Sequence, residues 1–576
     1  MHKHIRRYVA DENNLLLSDM SPVLARVYRH RGVCSADELN YSLARLPAPD
    51  LLKGLPEALA LLLAALQQQQ RILVVGDFDA DGATSTAVAL RGLRALGAKN
   101  VDFLVPDRFV YGYGLTPEIV QLAQQQSPDL IITVDNGISS VEGVAAAKAA
   151  GIKVLVTDHH LPGAQLPAAD AIVNPNQPHC AFPDKSLAGV GVMFYVLLAL
   201  RKQLREIHWF TAQKIAEPNL AVLLDLVALG TVADVVPLSY INRILVQQGL
   251  QRIRAGQCCA GIRALAEIAG KKMPRVLASD FGFAIAPRLN AAGRLDDMKH
   301  GIECLLTDDP IAAQQYAATL DEMNKARRLI QDDMQNIALN DPRFAAWQQD
   351  DAELPWSVCL YDSSWHQGVI GVLAGKIKDR FHRPAIMFAD ANAGEIKGSA
   401  RSVSGLHIRD ALDNIAAQHP HILNKFGGHA MAAGLTIQRE HFAQFVELFE
   451  QEVQLWLDET DVDAVLLSDG ELQAADISLE TAEHIRAAGP WGQRFSEPVF
   501  DGVFKIVQQK LVGEKHVRLR VAALDDTSFF DAIAFNVDVE QWSPTVGDYA
   551  QLAYRLDVNE YNGVRSVQLV VQGVGK

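Results

Sequence analysis

Short, continuous apolar runs alternate with helix-length stretches through the first half of the chain. From about residue 50 to 240 the order is strand, polar turn, helix, repeated. "RILVVG" precedes the helical "ATSTAVALRGLRALG" and "VDFLVP" follows it; "DLIITV" precedes "SSVEGVAAAKAAG", and "KVLVT" comes next. Uninterrupted apolar runs suit strands buried on both faces, so the expectation is an α/β unit built on a parallel sheet. Residues near 308–340 ("AAQQYAATLDEMNKARRLIQDDMQNIAL") read as a charged, weakly amphipathic helix connecting two domains. A second, smaller α/β unit is expected over roughly 355–455. Beyond about 465 the period falls to two in "HVRLRVAAL", "YAQLAYRLDV" and "VRSVQLVVQ", with Asn562-Gly563 as a hairpin signal. That pattern predicts a small antiparallel barrel or sandwich. The expected division is an N-terminal segment 1–50, an α/β domain 51–300, a helical connector 301–345, a smaller α/β domain 346–457 and a β-barrel 463–576.

Composition narrows the class. At 576 residues the chain is long enough for three or four domains, and 49% apolar and 21% charged content is ordinary for water-soluble ones. The opening "MHKHIRRYVADENN" turns polar too soon for a secretory signal. The longest apolar stretch, "NLAVLLDLVALGTVADVVPL", carries Asp225 and Asp234, so a buried helix with a strand or loop is expected there, not a membrane span. Six cysteines without a C-x-x-C pair fit a reducing cytoplasm. A net charge of −15 weighs against a nucleic-acid partner, but phosphate binding responds to local basic patches, so DNA stays open.

The candidate chemistry lies at the ends of the apolar runs. "VVGDFDADG" supplies Asp77, Asp79 and Asp81; "ITVDNG" supplies Asp135; "LVTDHH" supplies Asp158, His159 and His160; "ALGTVADVV" supplies Asp234. Ligands of open α/β sheets bind outside the carboxyl ends of the strands, so these distant residues converge at one edge. Any single aspartate there also reads as a helix cap or turn residue. Capping does not call for D-x-D-x-D beside D-H-H, whereas cations do. Carboxylates with imidazole suit Mn²⁺ or Mg²⁺, and two such ions suit in-line phosphoryl transfer. A nucleotide-binding P-loop does not fit, because "GDFDADGATS" lacks the lysine and its acids would repel phosphates.

In order and spacing "GDFDADGATST", "TVDNGISS", "TDHHLPG" and "GTVADVVPL" resemble the four motifs of the DHH phosphoesterase superfamily. "GSARS" and "FGGHAMAAG" resemble the DHHA1 accessory domain of its larger members, and the likeness runs from about residue 20 to the C-terminus. It is strongest to the bacterial 5′→3′ exonucleases specific for single-stranded DNA. The resemblance implies a parallel-sheet DHH domain, a helical connector, a smaller α/β DHHA1 domain and a C-terminal OB-like barrel. It implies Asp79, Asp81, Asp135, His159 and Asp234 as ligands of two Mn²⁺ or Mg²⁺ ions, Asp135 bridging them, with His160 near the scissile phosphate and Asp158 orienting a histidine. Many relatives carry a histidine where this chain has Val75, which leaves Asp77 to complete the first metal site.

The same resemblance implies substrate contacts at Arg108, Arg288, Asn290, Ser399, Arg401, Gly427, Gly428 and His429. Ser399 and Arg401 would grip the 5′ phosphate, His429 a phosphate near the metals, and Arg294 would be structural. Tyr113 would stack or pack nearby. On the barrel, Lys505, Lys510, Lys515, Arg518, Arg520 and Arg555 read either as a backbone-tracking groove or as solvated edge charges. The implied activity is hydrolysis of single-stranded DNA from the 5′ end, in recombination, mismatch and other DNA repair. A single-strand-binding protein and a RecQ-type helicase would be its partners, with no membrane involved. Two other readings stand beside it: a phosphodiesterase for short oligoribonucleotides or cyclic dinucleotides, and a non-catalytic DNA-binding scaffold.

Overall fold

The computed structural model describes residues 2–575 apart from 10–19, 108–109, 112, 348–354, 392–393, 424, 459–464, 525–526, 538–541 and 543. The first α/β domain is built on a five-stranded parallel sheet. Its strand Ile72–Val75 lies between Val101–Leu104 and Leu130–Val134; Lys153–Thr157 and Ala171–Val173 extend the sheet beyond the latter. Ile72–Val75 and Leu130–Val134 are buried at every position, as their unbroken apolar runs predict. The chain leaves Ile72–Val75 to one side and returns on the other, so the sheet's switch point falls between Ile72–Val75 and Leu130–Val134. Helix Ala80–Ala95 starts there, and helices Gly189–Glu206 and Leu224–Ala233 pack against it in the main core. Asp234 therefore ends a helix, where its segment was expected to place a ligand beside strand ends.

The expected connector is one 30-residue helix, Pro310–Leu339. Ala313, Ala317 and Leu320 belong to the core of the first domain, while Met334 and Ala338 belong to the core of the second. The second domain has a mixed five-stranded sheet in the order Lys425–Gly428, Ala432–Gln438, Glu395–Arg401, Ala385–Asp390, Val358–Tyr361.

The C-terminal strands Phe500–Val512, His516–Ala522, Phe529–Ala534, Tyr549–Tyr561 and Val564–Gly575 close into a five-stranded barrel. Tyr561 and Val564 pair across a two-residue turn in which Asn562 and Gly563 both have positive φ, the backbone an Asn-Gly hairpin requires. The N-terminal strand His2–Arg7 pairs with Val465–Ser468 and the last strand, and Arg7 makes a forked ion pair with buried Asp501. Helix Pro22–His30 divides its apolar face, Tyr28 going to the core of the first domain and Val27 to the barrel core. Strand His2–Arg7 and helix Pro22–His30 thus fasten the barrel to the first domain.

Candidate active site

The switch point gathers six aspartates and two histidines. Asp77, Asp81, Asp135 and Asp158 are buried, and three donor groups have ligand atoms within 4.8 Å of one another: Asp77, Asp79 and Asp135; Asp81, His159 and Asp234; and Asp135, His159 and His160. Asp135 belongs to two groups. It adopts a left-handed backbone (φ 61°), a sparsely populated state found where structure around a site enforces it. His159 Nε2 lies 3.1 Å from Asp135 Oδ1 and 3.4 Å from Asp234 Oδ2. Neither His159 Nε2 nor Asp135 Oδ1 has a hydrogen-bond partner among the described residues, although both are buried. Such atoms are costly unless something binds them, and a cation between them would.

The surrounding chain fixes these donors. Asp81 accepts from the backbone N–H groups of Gly189 (2.7 Å) and Val190 (3.1 Å), at the start of an 18-residue helix whose dipole favours an anion. A Cβ at position 189 would lie 2.6 Å from the Asp135 side chain, so only glycine admits that approach. Asp79 caps its own helix by accepting from Gly82 N–H at 3.0 Å and also has a carboxylate oxygen within the Asp77–Asp79–Asp135 donor group. Asp77 accepts from Phe78 N–H at 2.8 Å and faces the site with Asp79. Asp158 accepts from the N–H groups of Ile138, His159 and His160 and from His160 Nδ1 at 2.7 Å; the histidine it orients is His160.

Electrostatics follow from this crowding. Burial and the neighbouring Asp79 push Asp81 up to about 7. Burial and the other aspartates raise Asp135 and Asp234 well above the ordinary carboxylate range. Burial and the His160 charge lower His159 to about 3, which keeps its imidazole neutral and able to ligate. Burial works against the charge on His160, but the Asp158 hydrogen bond and charge outweigh it and raise its pKa to about 9. His160 is therefore a cation at neutral pH, beside an excess of carboxylates.

The expected substrate contacts divide. His429, in the turn after Lys425–Gly428 with its Gly427 and Gly428, stacks its ring on His160 at 5.5 Å and so brings the second domain onto the cluster. Tyr113 Oη lies within 3.3 Å of His160 Nε2 and of the Asp135 carbonyl. Ser399 and Arg401, two residues apart, share one face of the strand Glu395–Arg401, where Arg401 donates to Ser399 Oγ at 3.3 Å. Gly371, in the first turn of helix Ile370–Phe381, packs so closely there that a Cβ would meet Ser399 Oγ at 2.8 Å. Arg288 instead forks onto Asp321 of the connector at 2.8 and 2.9 Å. Asn290 accepts from the Ala80 N–H at 2.8 Å, so it positions the D-x-D loop. Arg294 donates to the Gly368 carbonyl of the second domain at 3.3 Å. Arg108 lies outside the described residues.

Sequence reasoning passed over two supports. Asn174 and Asn176 donate to the carbonyls of His160 (2.9 Å) and His159 (2.6 Å), holding both histidines from behind. The signal was "NPN" directly after the last strand of the sheet.

A parallel sheet carrying this cluster at its switch point, joined to a second α/β domain that reaches over it, defines a DHH-type phosphoesterase. The chain matches the DHH family N-terminal domain over residues 71–231, the DHHA1 domain over 356–455 and the RecJ OB domain over 468–573. It is 53% identical to the single-stranded-DNA-specific exonuclease RecJ of Dickeya dadantii over 96% of both chains. Against the RecJ of Escherichia coli K12 the identity is 50%, over 99% of this chain and 98% of that one. The crystal structure of RecJ in complex with Mn²⁺ from Thermus thermophilus superposes with a TM-score of 0.82 at 30% identity, covering all of this chain and 79% of that one. The chain belongs to the RecJ family of single-stranded-DNA-specific exonucleases.

Proposed function

We propose that this chain hydrolyses single-stranded DNA from its 5′ end to 5′-mononucleotides, with two Mn²⁺ or Mg²⁺ ions, in recombination, mismatch and other DNA repair. The observation that carries the reading is the pairing of an acidic cluster holding unbonded buried ligand atoms with His429 of the second domain, stacked directly on it. The donor set fits two hard cations: Asp77, Asp79 and Asp135 would hold one and Asp81, His159 and Asp234 the other, and Asp135, whose Oδ1 lies 3.1 Å from His159 Nε2, would serve both. When bound, such a pair supplies positive charge that stabilises the entering and leaving oxygens of an in-line displacement at phosphorus.

The chain's own residues do the rest. His160, kept protonated by Asp158, would give its Nε2 proton, which lies beside Tyr113 Oη, to the phosphate or the leaving oxygen once substrate is bound. Ser399 and Arg401 take the terminal 5′ phosphate beside the first turn of helix Ile370–Phe381, and His429 takes a phosphate nearer the metals. Fixing the 5′ end selects the linkage that meets the cluster, which gives polarity. Lys510 and Arg518 stand directly opposite each other in the barrel; like charges so placed favour a polyanion across them. All six cysteines are free thiols, and no helix among the described residues is long and apolar enough to cross a membrane; both fit work in the cytoplasm. A RecQ-type helicase would supply unwound ends, and a single-strand-binding protein would deliver them.

The test is hydrolysis of 5′-labelled single-stranded DNA and of a dinucleotide with Mn²⁺ and with Mg²⁺. Release of labelled mononucleotide from the long strand is expected. A strong preference for the dinucleotide, or an uncut strand with both metals, would overturn the reading.

A further inference from the structure

Away from the catalytic cluster, the second domain gathers three histidines. His419 caps the end of helix Ile408–Gln418, His421 follows two residues on, and His441 ends the 3₁₀ turn Arg439–His441. Their rings form a chain: His419 and His421 lie 6.2 Å apart centre to centre, and His421 and His441 6.1 Å. Glu440 adds a carboxylate oxygen 4.0 Å from His441 Nε2. His421 is exposed and the other two are partly exposed, so dissolved ions reach all three.

A hairpin brings these distant residues together. Lys425–Gly428 pairs antiparallel with Ala432–Gln438, in a register that sets Lys425 opposite Thr436 and Gly428 opposite Ala433. Continued outward, that register sets position 421 opposite 440, so the three histidines close the open end of the hairpin. The backbone there is fixed. The Ile422 and Leu423 N–H groups donate to the His419 carbonyl at 3.0 and 3.3 Å, and both side chains are buried. The turn at the other end of the same hairpin carries His429, stacked on His160.

Imidazoles suit zinc, nickel and copper, whereas Mg²⁺ and Mn²⁺ favour oxygen donors. Zn–N bonds of about 2.0–2.1 Å place two imidazoles on one ion roughly 5–6 Å apart centre to centre. The spacings here stand at the outer edge of that range, and the donor atoms are less closely drawn than the 4.8 Å of the catalytic groups. His421, being exposed, closes the difference by turning to another rotamer. Histidines elsewhere rest on acids, His30 on Asp469 and His407 on Asp410, but in this group the rings' neighbours are one another and Glu440. We propose that His419, His421 and His441 bind one Zn²⁺ ion, with Glu440 or water as the fourth ligand. The ion joins the chain ends that enter and leave the hairpin, and so stiffens the element that carries His429 to the catalytic cluster. The inference does not depend on the exonuclease reading, since its readouts are bound metal and backbone motion, not cleavage.

The experiment dialyses the metal-free full chain against buffered, micromolar Zn²⁺ with excess Mn²⁺ and counts the zinc retained. Zn²⁺ also enters the catalytic cluster, so the measure is the difference between the wild type and His421→Ala. The wild type is expected to retain one more zinc per chain, and His421→Cys, which supplies another zinc ligand, should restore it. Because His421 is exposed, neither change removes core packing. Equal zinc counts in the wild type and His421→Ala overturn the site. Amide hydrogen exchange then tests the stiffening. At roughly ten times its Kd, zinc should slow exchange across residues 425–438 about tenfold in the wild type but not in His421→Ala. A hairpin that exchanges at the same rate with the extra zinc bound overturns that coupling.

Discussion

The metal-binding edge of the catalytic sheet and the outer face of the barrel both carry dense charge, and they treat it in opposite ways. At the sheet edge five aspartates are packed together, and the cation that acts on Asp81 and Asp234 among the described residues is His160. On the barrel, arginines are matched with acids: Arg520 with Asp531 at 3.1 Å, Arg565 with Glu483 at 2.7 Å, Arg555 with Glu497. The unbalanced cluster stores a demand for cations, and fixed geometry makes that demand specific. A balanced surface of this kind suits, at most, many weak and replaceable contacts to a flexible polymer. Breaking the first should therefore be drastic and breaking the second mild.

The largest effect is expected at Asp135. Asp135→Asn keeps the shape but removes the shared charge, and turnover should fall by about a thousandfold or more. The metal-free variant should melt higher than the metal-free wild type, because the substitution relieves buried repulsion; a lower melting temperature would contradict the account. The same repulsion sets a pH dependence. Asp81 titrates at about 7 in the fold against 3.8 for the ordinary group. Its contribution to metal-free stability is thus present at low pH and lost as pH rises from about 4 to about 7. Added Mn²⁺ should raise the melting temperature more at the top of that window than at the bottom, since metal binding must displace the proton. Thermal melts across pH with and without Mn²⁺ check both signs.

Next in size is Asp158→Asn, which leaves the metal donors in place and removes the partner of His160. Activity should drop roughly ten- to a hundredfold, and the alkaline limb of the rate profile should move to lower pH as the His160 pKa falls. Arg401→Ala should weaken binding of 5′-phosphorylated strands about tenfold relative to strands ending in a hydroxyl. Equal losses on both ends would remove the anchor from Arg401. The smallest effect belongs to the barrel: Arg518→Gln should cost roughly two- to threefold in affinity and lower the slope of log K against log salt by about one.

The contrast also explains what was legible in the sequence. Parallel strands announce themselves as unbroken apolar runs, and a ligand cluster at a switch point draws on short motifs at strand ends, so the catalytic fold and its acids could be read directly. The Asn562-Gly563 hairpin and the period-two strands disclosed the barrel for equally local reasons. What could not be read were links between segments far apart in the chain. Asn290 reaches back 210 positions to Ala80, Arg288 is taken up by Asp321, and the N-terminal strand closes against the C-terminal one. No periodicity or motif encodes such contacts, because each depends on how whole domains pack.

The central claim is that the repulsion among these aspartates exists to hold two cations that share Asp135. Crystals soaked in Mn²⁺ and measured at the manganese absorption edge test it most directly. Two anomalous peaks are predicted, one among Asp77, Asp79 and Asp135 and the other among Asp81, His159 and Asp234, with an Asp135 oxygen in reach of both. A single peak, or two that do not share Asp135, would contradict the account.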